Sequence, residues 1–123
     1  MNRYTREEIL EALEVVTSIT KQSEKIQPKF IKGSSQYKLL ENRIKALNIS
    51  KSLLTSEDIK EEYTKEELIE SLLPISSIIS KCEKAQMKFA KDNYHQIRLM
   101  KIIAAMNISK SLISNVISNE KNQ

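Results

Sequence analysis

Ile9, Leu13, Val16, Thr20, Ser23, Gln27 and Phe30 follow one another at spacings of four and three, flanked by Ala12, Ile19 and Ile26 and separated by polar or charged positions. An apolar stripe of that period predicts one amphipathic helix near residues 6–32. Leu68, Leu72, Ile75, Ile79, Cys82 and Phe89 repeat the pattern and predict a second long helix near 65–91. Shorter stripes through Leu40, Ile44, Leu47 and Leu54, and through Leu99, Ile103, Met106 and Ile113, predict helices near 36–54 and 94–118. Thr5 with Glu8, and Thr64 with Glu67, form capping boxes: the hydroxyl accepts from the backbone three residues on, and the carboxylate accepts from the cap residue's own N–H. Gly33 suits the left-handed position that ends a helix, and Asp92 or Asn93 suits the cap of the last one.

Connections of two to four residues between long helices force neighbours to run antiparallel. The expected fold is therefore all-α: a four-helix bundle of two αα-hairpins, joined by a polar linker over residues 55–62. Pro74 falls about ten residues inside the third helix, where it removes one backbone donor and should kink the axis.

The two halves are also copies of each other. Pairing residues 4–54 with 63–113 at a constant offset of 59 needs no gap and matches 23 of 51 positions. A fixed period of this kind marks tandem structural units. Each unit is too short to bury an adequate core alone, so residues 1–123 are expected to form a single pseudo-symmetric domain. The matches are uneven: across residues 33–43 only Leu40, paired with Leu99, survives in 11 pairs. Such local divergence marks either a freely drifting turn or a place where one copy has a task of its own.

Composition adds limits. One glycine, two prolines and no tryptophan fit a helical protein. The net charge is +4, divided as +1 over residues 1–62 and +3 over residues 63–123. This mild basicity allows contact with nucleic acid, an acidic protein or an anionic membrane surface. Cys82 is the lone cysteine, so no intramolecular disulfide and no cysteine metal pair is expected. No apolar run is long enough for a membrane span, and residues 1–8 lack the apolar core of a signal peptide; a cytoplasmic location is the expectation.

Nothing in the chain assembles into a catalytic constellation, and no cofactor or metal is expected. His95 is the only histidine. Lys81, Lys84, Lys88 and Lys91 share a helical face and are echoed by Lys21, Lys25, Lys29 and Lys32. They read either as a basic surface for phosphates or an acidic partner, or as cations opposing a helix macrodipole that Glu7, Glu8 and Glu11 oppose at the other end. Ser34, Ser35, Gln36, Tyr37 and Lys38 put hydroxyls, an amide and a cation at a helix start, with Asn42 and Arg43 one to two turns on. That set is the candidate partner- or anion-binding site. The duplicated segment Asn48–Leu53 sets Ile49, with Ile108 in the second copy, away from the main stripe. It suits either a surface for a partner or homodimer, or a crossing between the hairpins.

Lys29-Phe30, Gly33-Ser34-Ser35-Gln36 and Leu39-Leu40-Glu41-Asn42-Arg43-Ile44-Lys45-Ala46-Leu47 together resemble a group of short uncharacterised proteins of AT-rich Gram-positive bacteria and their mobile elements. Those proteins look like single copies of this hairpin. The resemblance covers nearly all of the first repeat; the second keeps Lys88-Phe89 but lacks the Gly-Ser-Ser-Gln turn and the Asn-Arg pair. It implies a mobile-element context, and with it a non-enzymatic inhibitor of a host defence complex that acts on a protein or nucleoprotein partner. The alternatives are a bacteriocin-immunity-like protein and a small-anion or nucleotide-binding module using the turn of the first repeat.

Overall fold

The computed structural model describes residues 3–59, 62–90 and 93–121. The order is α1 (Arg6–Ile26), a single 3₁₀ turn (Gln27–Lys29), α2 (Ser35–Leu54), α3 (Lys65–Gln86) and α4 (Tyr94–Lys121), with no strand among the described residues. Both capping boxes form with the same distances. Thr5 N–H donates to Glu8 Oε1 at 2.9 Å and Glu8 N–H to Thr5 Oγ1 at 3.1 Å; Thr64 and Glu67 repeat the two bonds at 2.9 and 3.1 Å. Asn93 caps α4 by accepting from His95 N–H at 2.8 Å. Asp92, the other candidate cap, and Lys91 lie outside the described residues, as do Lys60 and Glu61 of the linker.

The two long helices stop earlier than their stripes. In α1 the cause is Pro28, which has no N–H to offer and whose ring crowds the carbonyl four residues back. The chain tightens into the 3₁₀ turn, closed by Phe30 N–H on Gln27 C=O at 3.1 Å. α3 ends at Gln86 as its last amides shift to carbonyls three residues back, Lys88 to Ala85 and Phe89 to Gln86. Phe30 and Phe89 thus fall beyond the helices they seemed to extend, and both are exposed. Gly33 does take a left-handed φ of +89°, but seven residues past the end of α1. It is the third residue of a turn closed by Ser34 N–H on Ile31 C=O at 2.9 Å, where a type II turn requires positive φ.

α2 ends in a Schellman motif. Glu57 N–H reaches Ser52 C=O at 2.9 Å and Ser56 N–H reaches Leu53 C=O at 3.1 Å, with Ser56 itself at φ +62°. The linker is more than a polar tether, since Ile59 is buried in the core. α3 continues through Pro74, leaving the Glu70 carbonyl without an amide at the usual position.

α1 packs on α2 and α4, α3 packs on α2 and α4, and α2 meets α4 across the middle, while α1 and α3 do not touch. The central pair can approach closely because it buries small residues: Ala46 and Ser50 on α2, Ala105 and Ser109 on α4. Ser50 and Ser109 hydroxyls donate to Ala46 and Ala105 carbonyls, both at 2.9 Å, so no buried hydroxyl there is unsatisfied. Ile49 and Ile108 are buried in this core, which removes them as a partner or dimer surface. Leu47, Leu68, Ile75, Met106 and Ile113 complete its centre at 0% exposure.

Candidate functional site

Two surface grooves run between neighbouring helices. One, about 540 Å³, lies between α2 and α3. Leu39, Asn42, Arg43, Lys45 and Ala46 form one wall; Glu67, Glu70, Ser71, Pro74, Ser77 and Lys81 face them, with Leu73 at the rim. Its register is fixed at one end by an ion pair in which Lys45 Nζ donates to Glu67 Oε2. The other carboxylate oxygen of Glu67 serves the Thr64 capping box, so one side chain ties the start of α3 both to its own cap and to α2. The Lys45 ammonium and the Thr64 backbone hold the Glu67 carboxyl below the ordinary carboxylate range, and the Glu67 carboxylate raises Lys45. Glu70 adds to the negative potential felt by Lys45.

At the other end of the groove the cations are free. Arg43 is half-buried and, with Lys81 and Asn42, makes no ion pair or side-chain hydrogen bond among the described residues. Just beneath lies Cys82, whose thiol is pushed up by burial against the opposing pull of Arg98 and Arg43. Such a thiol is a small core group rather than a nucleophile. The groove therefore has an acidic end where Lys45 pairs with Glu67, and a cationic end where Arg43 and Lys81 make no ion pair among the described residues.

The second groove, between α1 and α4, is lined by positions that the 59-residue offset carries onto the first. Glu8, Glu11, Val15 and Ser18 stand where Glu67, Glu70, Pro74 and Ser77 stand, and Arg98, Lys101, Ile102 and Ala104 where Leu39, Asn42, Arg43 and Lys45 stand. Its chemistry is different. Lys101 Nζ lies 4.0 Å from Glu11 Oε1 across the groove, and the space is two chambers of about 240 and 400 Å³. The larger chamber is mostly apolar, with Ile97, Met100, Ala104, Ala105 and Ile108 in its wall.

The sequence-derived site set is divided by this geometry. Asn42, Arg43 and Lys81 come together in the α2/α3 groove. Ser34, Ser35, Gln36, Tyr37 and Lys38 stay at the start of α2, where Ser34 Oγ accepts from Tyr37 N–H at 3.2 Å and Gln27 Nε2 donates to Tyr37 C=O at 3.5 Å. Lys84 and Lys88 are exposed outside the groove. His95 lies against Phe89 and Tyr94, tilted to the first ring and edge-on to the second, with ring centroids at 5.1 and 5.8 Å. No group of three His, Cys, Asp or Glu residues suited to a metal occurs among the described residues, and no helix among them is long and apolar enough to cross a membrane.

Lys45, Glu70, Ser71, Pro74 and Ser77 were not in the sequence-derived set. A signal for three of them is in the duplication: Lys45 replaces Ala104, Ser71 replaces Ala12 and Pro74 replaces Val15. Glu70 and Ser77 recur unchanged as Glu11 and Ser18, and only the packing of α2 on α3 assigns them. The chain matches no protein-family model, no curated protein and no solved structure.

Proposed function

We propose that the chain is a non-enzymatic binding protein, built as two tandem pseudo-symmetric hairpins over residues 4–54 and 63–113, that acts by occupying a protein or nucleoprotein partner through the α2/α3 groove. The observation that carries this reading is Arg43: a half-buried guanidinium with no ion pair among the described residues, in a groove whose offset counterpart holds Ile102. Removing a cation partly from water without pairing it is unfavourable, and an acidic group brought by a partner offsets that cost. Arg43 can hold such a group bidentately, with Asn42 and Lys81 beside it.

In this reading the duplicated scaffold has left Arg43 and Lys81, unpaired among the described residues, for recognition in one groove, while Lys101 meets Glu11 across the other. The mobile-element resemblance of the first repeat, which supplies Asn42 and Arg43, favours a cytosolic inhibitor of a host complex. Affinity capture by the intact chain tests this. Arg43→Ala with Asn42→Ala abolishes capture of the specific partner, while Lys101→Ala with Ile102→Ala leaves it; capture that survives the first pair of changes removes the groove from the account.

A further inference from the structure

α1 and α3 each run from acidic residues in the first turn to a lysine in the last. The α1/α4 groove runs from Glu8 beside Ile108 to Ser18 beside Arg98, and the α2/α3 groove from Glu67 beside Lys45 toward Lys81 beside Leu39. The ends of α1 and α3 and the starts of α2 and α4 therefore lie together, and both interhelical turns cap the same end of the molecule. Residues 21–38, 80–90 and 93–98, which make up that end, carry a net +7. Residues 3–14, 45–59, 62–70 and 104–119, at the far end, carry a net −4. The overall +4 conceals this separation.

Exposed apolar side chains occur along the bundle and at the far end too, as at Leu73, Met100 and Leu10, but more than half of them are at the cationic end. Ile31 is 82% exposed, Met87 87% and Tyr94 74%, with Phe30 and Phe89 also exposed beside them. Ile31 and Met87 sit at or beside the two turns, each flanked by exposed lysines: Lys29 and Lys32 around the first, Lys84 and Lys88 around the second. Single exposed hydrophobics are ordinary; several at one tip inside a ring of lysines are a pattern.

We propose that this end docks on an anionic lipid surface, the lysines meeting headgroup charge while Ile31, Met87 and the neighbouring aromatic rings enter the interfacial layer. Apolar tips gain from a bilayer interface, and lysine stems reach from an apolar layer to the headgroups. A phosphate backbone gives such tips nothing, and these cations, Arg98 apart, are lysines rather than the arginines that grip phosphate bidentately. The acidic far end is repelled by the same surface. Docking is therefore end-on, with the bundle axis upright and the α2/α3 groove still open along its side. This property is independent of the reading given to that groove.

Co-sedimentation of the full chain with vesicles is the test, using phosphatidylcholine alone and phosphatidylcholine with about a third phosphatidylserine. Binding to the anionic vesicles only is expected, weakening strongly as salt rises from about 0.1 M to 0.5 M. Lys29→Glu with Lys88→Glu lowers the partition coefficient by about tenfold or more, and Ile31→Asp with Met87→Asp by about tenfold. Circular dichroism checks that each exposed-site variant keeps its fold. No binding to anionic vesicles, or binding that both double variants leave unchanged, overturns the proposal. Tighter binding to a single-stranded oligonucleotide that falls with the lysine changes but not with Ile31→Asp and Met87→Asp overturns it in favour of nucleic acid.

Discussion

The α2/α3 and α1/α4 grooves stand on positions related by one offset, yet one pairs Lys45 with Glu67 and leaves Arg43 and Lys81 without an ion pair among the described residues, while the other is crossed by Lys101 and Glu11 and lined by more aliphatic side chains. α1 and α3 start with the same capping boxes, and α2 and α4 meet over matching small residues. The difference comes from a few exchanges at the walls. Arg43 for Ile102 puts a guanidinium where the other copy has a methyl-bearing chain. Asn42 for Lys101 removes the cation that reaches Glu11 across the second groove, and Lys45 for Ala104 creates the tether to Glu67. A duplicated scaffold can thus hold its core constant while one of its two seams acquires a different surface.

The comparison breaks most severely if the shared core is not shared. Leu47 and Met106 are offset partners, both fully buried, and Leu47→Ala and Met106→Ala should each cost about 2–5 kcal/mol in chemical denaturation. Because both grooves lie between the two halves, a fragment of residues 1–60 should show neither cooperative unfolding nor monomeric helix. A well-folded monomeric fragment would mean that the halves are independent. A smaller effect is expected at the turn found only in the first copy. A methyl group on Gly33 would meet nothing within 4 Å, so Gly33→Ala should cost only the backbone strain of positive φ, about 1 kcal/mol by thermal or denaturant melting. Ser56, at the left-handed position of the Schellman motif, should respond in the opposite sense: Ser56→Gly should stabilise by about 0.5–1 kcal/mol.

The tether at the closed end of the α2/α3 groove gives the smallest effect and a pH signature. Glu67 is depressed in the folded state, so its contribution is present above the ordinary glutamate range and is lost as pH falls through its folded value. Lys45 is raised, so its contribution is present below the ordinary lysine range and is lost as pH rises through its folded value. Wild type should therefore exceed Lys45→Ala slightly at neutral pH. The difference should vanish in acid, in strong alkali and at high salt, because both groups are largely in water. Ala104→Lys, opposite Glu8, should build a matching pair in the other groove.

Much of the fold was legible in the sequence because it rests on short-range rules. The capping boxes at Thr5 and Thr64, the periodic stripes and the constant offset each act over a few residues or along one line of comparison. The helix ends were misjudged where a stripe continued past the structure: Phe30 keeps the period after Pro28 has ended the helix, and Phe89 keeps it after α3 has tightened. Ile59 was hidden because a lone isoleucine among acids has no period to announce its burial. The site was half legible. Divergence over residues 33–43 pointed to Asn42 and Arg43, but which helix would face them depends on the packing of α2 on α3, and no local pattern encodes that. Ile49 and Ile108 had the same problem in reverse, since a face off the main stripe becomes interior only when α2 and α4 meet.

The central claim is that the α2/α3 groove recognises a partner and the α1/α4 groove does not. Amide hydrogen exchange of the full chain, free and bound to the partner it captures, tests this most directly, because bound surface slows exchange in the elements beneath it. The account predicts new protection over residues 39–46 and 70–81, with residues 8–18 and 97–108 unchanged. Protection confined to residues 8–18 and 97–108, or spread equally over both grooves, would contradict it.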